Sequence, residues 1–312
     1  MPRCVDGRHR DAYGPCLFRH RGPDTVSVHP LTWLDVFTDR PLAGNGLAVV
    51  GDADAVDDAT MLLFARETRL SETTFVQTAT TDGAHYRNRI WTTVAEMPFA
   101  GHPSLGTAVA VARTRGVGEA RYHQQTPAGV QPVDVRGEGD RWRASMLQEP
   151  ARFGPQLDPA DALGAVGLGS EAADADLPVQ VVSTGVPHVI APVRAAALAE
   201  VLPDAHRLRA LLDPHAAIVL LVAAVEGDRA ESRGFFLGVD GVVEDPATGS
   251  AAGPLMALTH ARLGLERLTV RQGVEMGRPS RLDCAVEGDR VRVGGDVVVV
   301  ADGTVRLPEL KR

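Results

Sequence analysis

The stretch Val243-Glu244-Asp245-Pro246-Ala247-Thr248-Gly249-Ser250-Ala251-Ala252-Gly253 sets the fold expected of this chain. Two acids and a proline lead into a turn of small residues, and a helix-forming run follows from Pro254 to Arg262. Such a loop aims several backbone N–H groups at one point, where a carboxylate or a developing anion can sit, with Asp245 as an acceptor at the same mouth. The plainer reading is an ordinary helix start capped by the Thr248 or Ser250 hydroxyl. Proline lacks the N–H that a helix interior needs, so the expected helix begins at Pro254 rather than at Ser250.

A second stretch, Phe99-Ala100-Gly101-His102-Pro103-Ser104-Leu105-Gly106-Thr107, has the same design. Pro103 suits the start of a helix, Leu105, Ala108, Val109 and Ala112 fall at i, i+3, i+4 and i+7, and Gly116 supplies a stop. In the later copy Leu255, Leu258 and Ala261 share a face and Gly264 ends it. Both helices are built from small residues with few charges, the composition of a helix enclosed on every side, such as one running through a curved sheet. The chain therefore reads as two related halves, each with a buried helix whose N-terminus is polar.

Outward from these two stretches, the 312 residues suffice for two ordinary domains. A flexible extension over 1–30 is expected, then an N-terminal domain over 31–150 and a C-terminal domain over 151–312, with the last strand free to return to the first domain. The Gly/Ala/Asp-rich segment 150–176, read as a loop and a weak alanine-rich helix, is the expected linker. Hydrophobic residues at 44% and charged residues at 23% describe a soluble globular chain. A net charge of −8 argues against a nucleic-acid or membrane-surface partner. No apolar run is long enough to span a bilayer and the first residues lack a signal peptide's apolar centre, so a cytoplasmic location is expected. The three cysteines, Cys4, Cys16 and Cys284, have neither CxxC nor metal-ligand spacing, and no metal is expected.

Between the key stretches, Leu31 to Phe37 and Leu47 to Val50 read as strands around the turn signal Gly44-Asn45-Gly46. Asp57 to Arg69 reads as an amphipathic helix leading into the strand that opens Ser71-Glu72-Thr73-Thr74-Phe75-Val76. A lone Glu such as Glu72 is usually solvated, and a lone His such as His102 usually caps or packs. Ala197 to Leu212 is expected to be helical, and His188, at a strand start, to be structural. Gly164-Ala-Val-Gly167-Leu-Gly169 lacks the preceding strand that a dinucleotide fingerprint requires. Many short strands punctuated by glycine, with few helices, indicate curved mixed sheets rather than a doubly wound fold.

Five motifs occur in order: Asp35-Val-Phe-Thr-Asp-Arg-Pro…Gly44-Asn, Leu70-Ser-Glu-Thr-Thr-Phe-Val76, Glu96-Met-Pro-Phe-Ala-Gly-His-Pro-Ser-Leu-Gly-Thr107, Glu244-Asp-Pro-Ala-Thr-Gly-Ser-Ala251 and Gln272-Gly…Met276-Gly-Arg-Pro-Ser280. Together they resemble the phenazine-biosynthesis PhzF-like isomerase family. The resemblance implies an α+β, diaminopimelate-epimerase-like fold: two similar domains, each a curved mixed β-sheet wrapped around a central helix, with the active site in the cleft between them. It implies Glu72 as catalytic acid/base with His102 and Asp245 as its partners. It further implies Ser71, Gly101, Gly249 and Ser250 as substrate-binding positions, and a homodimer. Arg69 stands where asparagine is common in the family, Gly46 where proline is, Thr93 where a Thr-Pro pair is, and Leu237 where proline is.

Two-thiol racemisation needs a cysteine on each side of the substrate carbon, and none of the three lies in a motif. One carboxylate is left as proton carrier for a small unsaturated carboxylic acid, its pKa expected to be raised by desolvation, without a cofactor. The competing readings are an epimerase or lyase acting on another small acid, and an inactive ligand-binding member of the fold.

Overall fold

The structure is a computed structural model and describes residues 26–239 and 241–309. Cys4, Cys16 and most of the expected N-terminal extension lie outside the described residues. Among the described residues the five α-helices are α1 (Asp58–Thr68), α2 (Gly101–Thr114), α3 (Pro159–Gly164), α4 (Ala205–Leu212) and α5 (Gly249–Leu263). Seventeen described strands join in one mixed sheet. Parallel pairs such as Ala48 with Thr73 and Val189 with Leu220 interrupt runs of antiparallel hairpins.

The sheet curves around two helices. α2 packs against strands Val26–Val36, Asn45–Val50, Glu119–Thr126, Gly129–Glu138 and Arg141–Leu147, and α5 against Gln180–Ser183, Pro187–Pro192, Arg267–Gln272 and Ser280–Glu287. Every residue of α2 from His102 to Ala112 is buried, as are Ala251 to Thr259 of α5. Small residues are what this enclosure demands. A Cβ on Gly106 would come within 2.5 Å of Leu47 Cδ2 and 3.0 Å of Val36 Cγ2. Leu105, Val109, Leu255, Met256 and Leu258 join the inward faces of the strands in one apolar core. A second core lies under α3 and α4, and a third under α1 around Phe75 and Trp91.

Helix α5 begins five residues before the expected start, with Pro254 inside it. The amides of Ala251 and Ala252 both donate to Thr248 O at 3.0 Å, closing the first turn. An interior proline costs about 3 kcal/mol, whereas burying a Leu or Met side chain contributes about 1.5–3 kcal/mol. Leu255, Met256 and Leu258 are all fully buried, so tertiary packing outweighs the local penalty.

Three further segments differ from expectation. Residues 26–30 are strand, because they pair in antiparallel register with Thr304–Pro308. The segment 150–176 contains the weak alanine-rich helix expected there, α3, which buries Ala162 and Leu163, but also a strand that was not expected: Arg152–Gln156 pairs with Gln180–Ser183. The helix expected over Ala197–Leu212 is a 3-10 turn (Ala195–Glu200) followed by α4, with Pro203 between them and the Asp204 carboxylate capping the new start. The final strand, Arg290–Pro308, pairs with Val26–Val36, with Arg141–Leu147 and with Ser280–Glu287.

Candidate active site

The three outer helices are capped conventionally. Asp57, Asp158 and Asp204 each accept a hydrogen bond from a first-turn amide of α1, α3 and α4. The two central helices are not: Ala100 before α2 and Thr248 before α5 make no side-chain cap. The hydroxyls expected to cap α5 are engaged elsewhere. Thr248 Oγ1 donates to Asp245 Oδ2 at 2.7 Å, and Ser250 Oγ pairs with His188 Nε2 at 3.0 Å. The two uncapped ends abut, since a Cβ on Gly101 would lie 3.7 Å from Ser250 N and 3.9 Å from Gly249 Cα. Uncapped N–H groups and two converging helix dipoles make this junction suited to an anion.

Glu72 reaches the same place from the first half. α1 ends at Arg69 in the left-handed region (φ 54°, ψ 22°), which turns the chain toward the strand Thr73–Gln77. That strand is fixed by parallel pairing with Asn45–Val50, and Glu72 immediately precedes it. Its side chain is only 16% exposed, and Glu72 Oε2 lies 3.5 Å from His102 Nε2. Neither atom has a hydrogen-bond partner within the protein. Burial, reinforced by the charge of Asp245, pushes the Glu72 carboxyl up to about 8. Burial lowers His102 to about 3, leaving it a neutral imidazole. Buried polar atoms are normally paired, so two facing atoms without partners mark a place where a ligand is expected to supply them.

The Asp245 end is fully bonded by contrast. Asn45 Nδ2 donates to Asp245 Oδ1 at 2.8 Å and to Ala247 O at 3.2 Å, which ties the first half to the second. Gln272 Nε2 donates to Asp245 O at 2.7 Å and to Thr248 Oγ1 at 2.8 Å. Burial raises Asp245 to about 6, while the bonds from Thr248, Asn45 and the Ala247 amide hold it down. Arg278 secures the turn that carries Asn45, donating to Gly44 O, Ala43 O and the buried Asp35 carboxylate.

The structure thus gathers Glu72, His102, Gly101, Gly249, Ser250 and Asp245 about one junction, with Ser71 half-buried beside Glu72. Sequence reasoning passed over four supporting residues. Asn45 read as turn chemistry and His188 as a structural histidine, and Gln272 lay in a motif without a role. Gln148, which donates to Gly249 O at 2.9 Å, carried no signal. Cys284 is buried against Ala252 O, as a structural thiol would be. Among the described residues no group of three or more His, Cys, Asp or Glu side chains is placed to share a metal ion. No helix among them is long and apolar enough to cross a membrane.

A family model described as phenazine biosynthesis-like protein matches residues 34–303. The chain belongs to this family of isomerases. A trans-2,3-dihydro-3-hydroxyanthranilate isomerase of Pseudomonas aeruginosa is 36% identical over 290 residues, covering 90% of this chain and 100% of that protein. Among solved structures, a predicted epimerase from Pseudomonas aeruginosa superposes with a TM-score of 0.79 at 36% identity, over 91% of this chain and 100% of the other. A hydroxyproline epimerase from Agrobacterium vitis, at 12% identity, a TM-score of 0.59 and coverage of 91% and 92%, shares the fold alone. The α+β, epimerase-like architecture of this PhzF-like chain follows from both.

Proposed function

We propose that this protein is a cofactor-independent isomerase that moves a proton, and with it a double bond, along a small unsaturated carboxylic acid. The observation that carries the reading is the facing pair Glu72 Oε2 and His102 Nε2, both buried and both without partners, beside two uncapped helix ends. The substrate carboxylate docks on the free N–H groups near Gly101, Gly249 and Ser250, where the helix dipoles favour negative charge. Ionised Glu72 removes a proton from a saturated carbon of the substrate. The electron pair left behind shifts through the adjacent double bond, and the resulting carboxylic acid returns the proton to the distal carbon. Glu72 ends as it began, so atoms and charge balance within one turnover.

A carboxyl near 8 suits both halves of that cycle, because neither proton loss nor proton return is steeply uphill near neutral pH. Neutral His102 and the fixed Asp245 orient the polar groups of the substrate. The relatives' names make trans-2,3-dihydro-3-hydroxyanthranilate the first substrate to test, and a homodimer is the proposed assembly on the family resemblance. Incubation of that acid with the protein in deuterium oxide, followed by NMR, tests the reading. A double-bond isomer carrying deuterium at the new sp3 carbon, or protium carried over from the old one, is the expected result. An unchanged substrate, or exchange at a single carbon without bond migration, overturns the reading for this acid.

A further inference from the structure

Beyond the proton carrier, the junction contains a hydrogen-bond chain whose direction is fixed by its far end. His188 is fully buried on the Pro187–Pro192 strand, and its Nδ1 lies 2.8 Å from Val186 O. A carbonyl oxygen only accepts, so Nδ1 carries the proton of this ring. In a neutral imidazole Nε2 is then an acceptor, and the group facing it at 3.0 Å is the Ser250 hydroxyl. The ring is neutral at working pH, since burial lowers His188 to about 4. Ser250 Oγ therefore gives its single proton to His188 and keeps only lone pairs for its partly exposed side. Ser250 N lies at the meeting point of the two helix ends, beside Gly101.

We propose that His188 is a positioning residue that commits the Ser250 proton, so that Ser250 meets the ligand as an acceptor and selects small carboxylic acids bearing an N–H or O–H donor next to the carboxylate. The proposal deepens the functional reading above and rests on its placement of the carboxylate at the helix ends. Lone pairs repel a carboxylate, which is thereby left to the backbone N–H groups, while the neighbouring substituent of the acid faces Ser250 Oγ. An acid with a methyl or a bare hydrogen at that position leaves the lone pairs unsatisfied and forfeits affinity.

Two measurements test this. Long-range 1H–15N spectra of the histidine rings, with the His188 signals assigned by their loss in His188→Gln, report the tautomer without any ligand. The expected spectrum shows a protonated Nδ1 and a bare Nε2, and a proton on Nε2 overturns the proposal. Calorimetric titration with 2-aminobenzoate and with 2-methylbenzoate, acids of similar size that differ in one donor group, reads the selection. The wild type is expected to prefer the amino acid about tenfold, the worth of one neutral hydrogen bond. Ser250→Ala should abolish most of that preference. His188→Leu, if it folds, should weaken it by freeing the hydroxyl rotor, and His188→Gln, which restores an acceptor, should recover part of it. A full preference in Ser250→Ala overturns the proposal. If neither acid binds the wild type, the selection falls together with the functional reading. If both bind equally, the selection alone falls.

Discussion

The two central helices present similar backbone to the junction and opposite chemistry. At the start of α2, the side chains able to carry a proton, Glu72 and His102, face each other with atoms that bond to nothing in the protein. At the start of α5, Asp245 is held by Asn45 and Thr248, Thr248 by Gln272, and Ser250 by His188. A duplicated architecture has thus been divided in labour. One end keeps a carboxyl loosely bonded and poorly solvated, which raises its proton affinity; the other spends its side chains on holding geometry. Under the proposed mechanism, orientation and proton transfer place conflicting demands on hydrogen bonding, and separate helix ends would meet them separately.

The largest test of that division is Glu72→Gln, which keeps the shape and removes the titration. Turnover should fall at least ~100-fold, the usual range for a positioned acid/base, while ligand binding measured by calorimetry persists. Near-normal turnover would show that the proton moves elsewhere. The same variant has a signature in stability. Glu72 titrates at about 8 in the fold against an ordinary 4.5, so the folded protein holds the proton more tightly and loses stability as pH rises between those values. Asp245 adds a loss of the same sign between 3.8 and about 6, whereas His102, lowered from 6.5 to about 3, makes stability rise with pH across its own window. Glu72→Gln should therefore gain on the wild type in denaturant melts from pH 6 to 9, and a constant difference would contradict the buried-carboxyl account.

Asp245→Asn tests whether the two ends communicate. The Asp245 charge helps raise Glu72, so its removal should move the alkaline-rising limb of kcat/KM, expected near pH 8 in the wild type, to lower pH. The rate on the plateau should drop about 10–100-fold if a charge-assisted contact to substrate worth ~1.5–3 kcal/mol is lost. An unmoved limb would mean that the ends act independently. Asn45→Ala is smaller: it strips partners from Asp245 and Ala247 O and should cost about 1–3 kcal/mol in stability, read from denaturant midpoints. The smallest effect is expected at Arg69, an exposed residue in the left-handed region. Arg69→Asn should raise stability by up to ~1 kcal/mol, because asparagine adopts that conformation at lower cost.

The repeated small-residue helices, their stops and the run of glycine-punctuated strands were legible because periodicity and turn chemistry are local properties. The start of α5 was not, since Pro254 argues correctly against an isolated helix and loses only to packing from strands remote in sequence. At the junction, Glu72, His102 and Asp245 were visible through five ordered motifs rather than through any one residue. Asn45 was misread because it acts on a partner in another part of the chain, Asp245. His188 is buried with both ring nitrogens bonded inside the protein, as a structural histidine is; what its position at a strand start did not reveal is that one of its partners is Ser250. Arg69 shows the converse, a departure from family usage whose local cost becomes plain once its backbone angles are known.

The last strand carries a consequence for biosynthesis. Val26 faces Pro308 and Val36 faces Val297, so the strand Val26–Val36 acquires this neighbour only once a partner roughly 270 residues later in the chain has been synthesised. Until then its outer hydrogen-bonding edge stays unpaired, and long-range closure of this kind is slow and exposed to wrong partners. A ribosome pausing before Arg290 would hold the strand Val26–Val36 without its seam, a state in which chaperones and proteases compete for the chain.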